Sequence, residues 1–304
     1  MTTVDIVVIG AIIKETIVYS DRVIGPVIGS PAAYSSLAMA AQGKNVGLVT
    51  YYGNDLGELF KEFEPINTKG VLTHTHTTTN RLFYREDGTK WVEYMKKAPV
   101  LYFDDIHEDF LMCKFFKICP MDYEVDPELV RRIHDMGKMV FVDLGGYGGA
   151  TSSKRHSILT EKGRNIIGSL CRSCSIIKAS HEDLASIFPN LSTEDAAIFM
   201  YNAGCPNVVV TIGRDGSFYL KNGTPVYFPA LNAVNGIPQS LLDFTGAGDS
   251  FGAGFMASYS EFSDIEKAIV NGNSTASLVI EKTGGCTFSR MPDKSEVEAR
   301  IKGK

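Results

Sequence analysis

The chain has 304 residues, 44% hydrophobic and 21% charged, enough to bury about three-quarters of its unfolded surface without disulfide or metal staples. Its net charge of −5, from 35 acidic and 30 basic residues, argues against a nucleic-acid partner, which needs a basic surface. No apolar stretch, Ile6–Ile13 included, approaches the roughly 20 residues of a membrane span. Met1–Asp5 has no basic secretory n-region, so a cytoplasmic protein without a membrane partner is expected.

Val4–Ile9 is a short apolar run ending at Gly10, the mark of a buried parallel strand. Glu15–Tyr19 and Val23–Val27 flank the polar Ser20–Arg22 and read as a hairpin. Pro31–Gln42 reads as a helix with proline in its first turn and Gly43 at its end. Asn45–Tyr52 is a further buried strand. Thr78–Arg85 and Lys90–Met95 enclose Glu86-Asp-Gly-Thr89, a second hairpin with Asp-Gly at its tip. Strands then recur at Phe115–Cys119, Met139–Asp143, Ser175–Lys178 and Val208–Ile212, with helices such as Pro127–Met136 and Asp183–Ile187 between them. This rhythm predicts a doubly wound, mostly parallel sheet flanked by helices. The expectation is one α/β domain over residues 1–304, with a β-sheet lid formed by about 13–28 and 76–97 over the strand ends where such folds bind ligands. Phe83, Tyr84, Trp91 and Tyr94 are either an apolar lid face over substrate or the small sheet's own core and a homodimer contact.

Cys171-Arg-Ser-Cys174 has no second pair to complete a zinc site, and His74-Thr-His76 has no third ligand nearby. Reduced thiols half inside the core are the expectation.

The strongest local signal is Asp243–Phe255, with Gly246, Gly248, Gly252 and Gly254 close together and helical spacing from Asp249 to Tyr259. Small residues before a helix expose backbone N–H groups at the positive end of its dipole, a ready anion site. One reading is a dinucleotide fingerprint, but Gln239–Phe244 makes a poor strand and Asp249 would set a carboxylate against the pyrophosphate. Another is a Gly-rich turn packed on the sheet. The third uses the carboxylate: an Asp beside an anion hole can take a proton from an attacking hydroxyl while N–H groups hold phosphoryl oxygens.

Asp243–Asp249, followed by Ser250-Phe251, resembles the D-x-T-G-A-G-D signature of the ribokinase-like (PfkB) carbohydrate kinase family. Other segments follow in the family's order along the whole chain. Glu15 falls where the family has a substrate-binding Asp, and Gly29-Ser30-Pro31 through Ala38 looks like G-G-x-x-x-N-x-A. Val208–Gly213 with Gly216 is similar to the nucleotide-site strand and turn; Asn271–Asn273 and Gly284-Gly285 match the later helix and turn. The resemblance implies an ATP-dependent kinase that uses Mg²⁺ and acts on a hydroxyl of a small sugar or polyol. Asp249 would be the base and Gly246, Ala247 and Gly248 the anion hole. Thr211, Gly213, Gly216 and Asn273 would line the nucleotide; Glu15, Gly29, Ser30 and Tyr34 would face the acceptor. Ser180 and Asp183 stand in for the family's N-x-x-E, with Asp183 reaching Mg²⁺ through water. Asp243 and Thr245 mark a loop where some relatives hold a monovalent cation such as K⁺.

Departures fall at Glu15 (Asp in the family), Ser30 (Gly) and Tyr34 (Asn), and Gly145–Gly149 stands where many relatives carry an Arg. Lys178 or Arg214 would have to supply that charge. Each assignment has a plainer counterpart: Glu15 as a solvated strand-edge acid, Asn273 as a helix-surface residue, Tyr34 as packing under the lid. An aromatic at Tyr34 leaves room for a nucleoside kinase of the same fold, and the departures leave room for a non-catalytic ligand-binding relative.

Overall fold

The computed structural model describes residues 3–85, 90–153, 157–231 and 242–303; the expected Asp-Gly hairpin tip lies outside them. In chain order, β1 (Ile6–Ile9) leads to β2 (Ile13–Val18), β3 (Val23–Gly29), α1 (Pro31–Ala41), β4 (Val46–Gly53) and β5 (Asn67–His74). β6 (Thr78–Tyr84), β7 (Lys90–Lys96), a short α2 (Glu108–Leu111), β8 (Phe115–Ile118), α3 (Pro127–Asp135) and β9 (Met139–Asp143) follow. Next come α4 (Glu161–Arg172), β10 (Ile176–Ser180), α5 (His181–Ile187), α6 (Thr193–Asn202), β11 (Val208–Thr211), β12 (Ser217–Lys221) and β13 (Thr224–Phe228). The chain closes with α7 (Ala247–Phe262), α8 (Ile265–Val279) and α9 (Lys294–Lys302).

The main sheet has nine strands in the order β13-β12-β11-β10-β9-β8-β1-β4-β5. It is parallel from β11 to β5, and only β12 and β13 run antiparallel, at one edge. The central strand β1 explains why the sheet is covered on both faces. Ile6 and Val8 pack into the core with α1, α7 and α8, whereas Val7 and Ile9 pack into the core with α3, α4 and α6. The alternation of side chains along one strand thus builds two hydrophobic layers.

A second sheet, β3-β2-β6-β7, stands apart. β2 and β6 pair in parallel, and each carries an antiparallel neighbour. Its aromatics divide by strand alternation. Tyr94 donates to Met121 O and Thr151 O at 3.4 and 3.3 Å, and Tyr84 reaches Thr245. Phe83 and Trp91 stack on each other with centroids 4.7 Å apart, and Trp91 is 37% exposed. One set of rings therefore ties the small sheet to the body, and the other covers its far side. All six cysteines are buried, Cys174 and Cys205 lying 3.7 Å apart between sulfurs. No described helix is long and apolar enough to cross a membrane.

Candidate active site

The loop before α7 is fixed before the helix begins. Asp243 donates its N–H to Ile280 O at 3.0 Å, and its Oδ1 accepts the Thr245 N–H at 3.0 Å. Gly246 then takes a left-handed φ of 78° as N-cap, and among the described residues no side chain caps α7. Ala247 gives its N–H to Phe244 O at 3.2 Å, and the N–H groups of Gly248 and Asp249 follow in the first turn, at the positive end of the helix dipole, where an anion is favoured. Ala247, Gly248 and Asp249 form that first turn, and the Tyr34 ring backs Gly246.

Lys178, in the middle of β10, supplies the charge at this site. A Cβ on Gly248 would lie 3.3 Å from its Nζ, and Nζ pairs with Asp143 Oδ2 at 3.1 Å in the interior. Burial opposes the ammonium, but the carboxylates of Asp143, Asp183 and Asp249 outweigh it and hold the lysine above its ordinary pKa. A cation therefore flanks the first turn of α7. Arg214 lies over the ring of Phe244, two residues before Gly246, at 6.0 Å.

Asp183 faces inward. Its Oδ2 accepts the Ser180 N–H at 3.0 Å and the Ser180 hydroxyl at 2.7 Å, while Ser180 Oγ accepts the Asp183 N–H at 3.1 Å. This reciprocal capping box starts α5. Asp183 Oδ1 accepts the Ala150 N–H at 3.0 Å and so also holds the glycine-rich turn after β9. A carboxylate has about four lone-pair positions, so three hydrogen bonds leave room for a contact through water.

Thr211, Gly213, Gly216 and Asn273 meet in one patch. Thr211 ends β11 and faces Ser217 of β12 across the turn that Gly213 opens and Gly216 closes. Ser217 Oγ donates to Asn273 Oδ1 at 3.1 Å, and Asn273 Nδ2 donates to Pro229 O at 3.4 Å. Asn273 is buried, which removes the helix-surface reading.

On the other side, Glu15 of β2 is 3% exposed, so it is no solvated edge acid. Asn80 of β6 donates to its Oε1 at 3.0 Å. A Cβ on Gly29 would meet Glu15 Oε2 at 2.5 Å, so only glycine admits the carboxylate there. Asn80 Oδ1 is buried with no hydrogen-bond partner among the described residues, whereas buried acceptors ordinarily have one. Ser30 caps α1 by accepting the Ala33 N–H at 3.2 Å.

Tyr34 and the expected cation loop share one partner. Arg290 donates to the Tyr34 hydroxyl at 2.9 Å, and to the carbonyls of Asp243 and Thr245 at 3.0 and 3.2 Å. Tyr34 is thus a buried wall behind the anion hole, the packing alternative of its two readings. The carbonyl oxygens of Asp243 and Thr245, in the loop expected to hold a monovalent cation, accept from this guanidinium.

The pfkB family carbohydrate kinase model matches residues 156–293. The chain is 29% identical over 286 residues to a cytidine kinase from Thermococcus kodakarensis, covering 92% of this chain and 97% of that one. A ribokinase from Arabidopsis thaliana in complex with ribose and ATP superposes with a TM-score of 0.76 at 18% identity, over 99% of each chain. An aminoimidazole riboside kinase from Salmonella enterica gives 0.76 at 17% identity, over 97% of this chain and 99% of that one. Residues 156–293 thus carry a pfkB family carbohydrate kinase domain.

In this kinase, the residues that sequence reading missed are those joined only by the fold. Arg290 lies 45 residues from Thr245 and 256 from Tyr34 in the chain, with no motif around it. Asn80 is one of the four polar residues Thr78–Arg81 that open β6, and only the β2–β6 register sets it against Glu15. Tyr84, whose hydroxyl lies 3.0 Å from Thr245 Oγ1, was legible as an expected lid aromatic but not as a contact to the loop before α7.

Proposed function

We propose that this enzyme transfers the γ-phosphoryl group of ATP to a ribosyl hydroxyl of a nucleoside. The observation that carries the chemistry is Asp249 in the first turn of an uncapped helix, with Lys178 buried alongside. The acceptor hydroxyl gives its proton to the Asp249 carboxylate as its oxygen bonds to the γ-phosphorus, and the bond to the bridging oxygen breaks to release ADP. The N–H groups of Gly248 and Asp249 and the Lys178 ammonium hold the charge that gathers on the phosphoryl oxygens. Thr211, Gly213, Gly216 and Asn273 form the nucleotide side.

Mg²⁺ is bound by one or two carboxylates together with substrate phosphates and water, and Asp183 fits that demand with its remaining lone pair. When present, the ion neutralises charge on the phosphates. Among the described residues no three His, Cys, Asp or Glu side chains form a metal cage, in keeping with a metal delivered on the nucleotide.

Glu15 and the unpaired Asn80 Oδ1 are matched to sugar hydroxyls, each of which donates one hydrogen bond. Similarity to a cytidine kinase over nearly the whole of both chains supports a nucleoside over a free sugar. A free pentose or polyol is the second reading, favoured because the Glu15–Asn80 pair recognises hydroxyls and asks nothing of a base. The test is ATP consumption with Mg²⁺ over a panel of nucleosides, pentoses, hexoses and inositols, with Asp249→Asn as the blank. Turnover on nucleosides that falls at least about a hundredfold in the variant supports the proposal. Turnover on pentoses alone moves the acceptor to the second reading, and variant activity equal to wild type removes Asp249 as the base.

A further inference from the structure

Arg290 is 2% exposed, and its guanidinium has five N–H donors. Nε donates to Val279 O at 3.3 Å; Nη1 donates to the Tyr34 hydroxyl at 2.9 Å and Gly285 O at 3.0 Å; Nη2 donates to Asp243 O at 3.0 Å and Thr245 O at 3.2 Å. The Asp243 carboxylate lies 3.5 Å from Nη2. Each donor thus has a partner, and a carboxylate balances the charge, which is what a cation removed from water requires.

Carbonyl oxygens from separate segments, closed by one carboxylate, are also what a bare alkali ion would need. The guanidinium already occupies the oxygens of Asp243 and Thr245. A second positive charge at about 4 Å would be repelled enough to lower its affinity on the order of a thousandfold, even at a surface-like dielectric. The donor set therefore does not fit K⁺ while Arg290 is in place.

We propose that Arg290 is the built-in cation of the anion-hole loop, so that this enzyme works without a monovalent metal ion. Arg290 touches no reacting atom and is a positioning residue. It holds Asp243–Thr245, which runs directly into Gly246, and it holds Tyr34, whose ring backs the same glycine. One side chain thereby fixes the loop to α1 and to the segment after α8. The inference rests on the kinase reading for its effect on turnover, but the ion-binding part stands without it.

The test starts with the wild-type protein and needs no acceptor. Tl⁺, a K⁺ mimic, is titrated and followed by ²⁰⁵Tl NMR, and the thermal midpoint is measured in KCl against tetramethylammonium chloride at equal ionic strength. The expected result is no saturable Tl⁺ site and no K⁺-specific shift. Turnover on the acceptor found by the panel is expected to change by less than about twofold across the same salts. In Arg290→Ala, turnover should fall about a hundredfold through misplacement of the loop, mainly in kcat, and millimolar guanidinium ion should restore part of it without activating wild type. A saturable Tl⁺ site displaced by K⁺, or wild-type turnover raised tenfold or more by K⁺, would overturn the proposal even if the variant does not fold. Absence of Tl⁺ binding together with silence across the whole acceptor panel would support the built-in cation while removing the kinase reading.

Discussion

The ring of Tyr34 occupies the space that any side chain on Gly246 would need: a Cβ there would stand 2.3 Å from Tyr34 Cε1. Gly246 also sits at a φ of 78°, where a non-glycine residue costs about 1–2 kcal/mol. Two independent constraints therefore meet at the residue that starts the anion hole. Gly246→Ala is expected to lower turnover about a hundredfold, since a loop displaced by an ångström loses its geometry. Gly43→Ala isolates the backbone term, because Gly43 has a φ of 82° and no atom within 4 Å of its Cβ position. Urea unfolding should show a larger loss of stability for Gly246→Ala than for Gly43→Ala. Equal losses would mean that the ring gives way freely and that Tyr34 does not define the loop.

Lys178 and Asp143 form a buried pair, so removing one partner strands the other. Lys178→Met should cost about 3–5 kcal/mol, the usual penalty for an uncompensated buried charge. The pair holds Lys178 above its ordinary value of 10.5. A raised lysine pKa contributes stability that is full below the unfolded value and fades as pH rises through the folded one. The deficit of the variant should accordingly be the same at pH 7 and pH 9. Adding Asp143→Asn should restore most of the stability but not the turnover, if the ammonium also serves phosphoryl oxygens. Recovery of both together would reduce Lys178 to a structural role.

The parallel strands were legible because β1, β4, β8, β9, β10 and β11 are buried apolar runs, and burial on both faces leaves a continuous signal. β5 was not, because Asn67–His74 lies at the sheet edge and mixes exposed polar residues with half-buried ones without a clear period, only Gly70 being buried. The antiparallel β13 was missed for the same reason at the opposite edge, whereas β12, paired on both sides and buried except at Lys221, is a five-residue run with a serine at its start and a lysine at its end. Asp249 and its glycines were readable because an anion hole at a helix start is local in sequence. Arg290 was not: its partners lie at positions 34, 243, 245, 279 and 285, and carbonyl oxygens leave no mark in a sequence. The departure at Tyr34 was visible as a departure, but its reason is that same arginine.

Glu15 and Asn80 make a different kind of prediction, one about selectivity between substrates. The Asn80 amide donates to Glu15 Oε1 at 3.0 Å, a bond that glutamine at position 15 can still accept. Glu15→Gln should therefore fold normally while losing a charge-assisted bond to an acceptor hydroxyl, worth roughly 1.5–3 kcal/mol. Steady-state kinetics should show the acceptor KM raised about tenfold or more and the ATP KM within about twofold. Equal changes in both would separate Glu15 from the acceptor.

Ser30 stands at φ 109° and ψ 152°, a region that glycine alone enters without strain, at a cost of about 1–3 kcal/mol for other residues. The family glycine at this position thus has a conformational reason, and this chain has kept the conformation without the residue. In partial return, Ser30 Oγ accepts the Ala33 N–H at 3.2 Å and caps α1. The two effects predict opposite signs for two small substitutions. Ser30→Gly relieves the strain and weakens the cap by only a few tenths of a kcal/mol. After the added freedom of the unfolded glycine is counted, about 0.5–1 kcal/mol, it should stabilise the protein by about 1 kcal/mol. Ser30→Ala keeps the strain and loses the cap, and should destabilise by about 1 kcal/mol. Urea midpoints of the two variants, measured side by side against wild type, decide the matter. If Ser30→Gly unfolds at lower urea than wild type, the cap outweighs the strain, and the serine is there to hold α1 against the acceptor side.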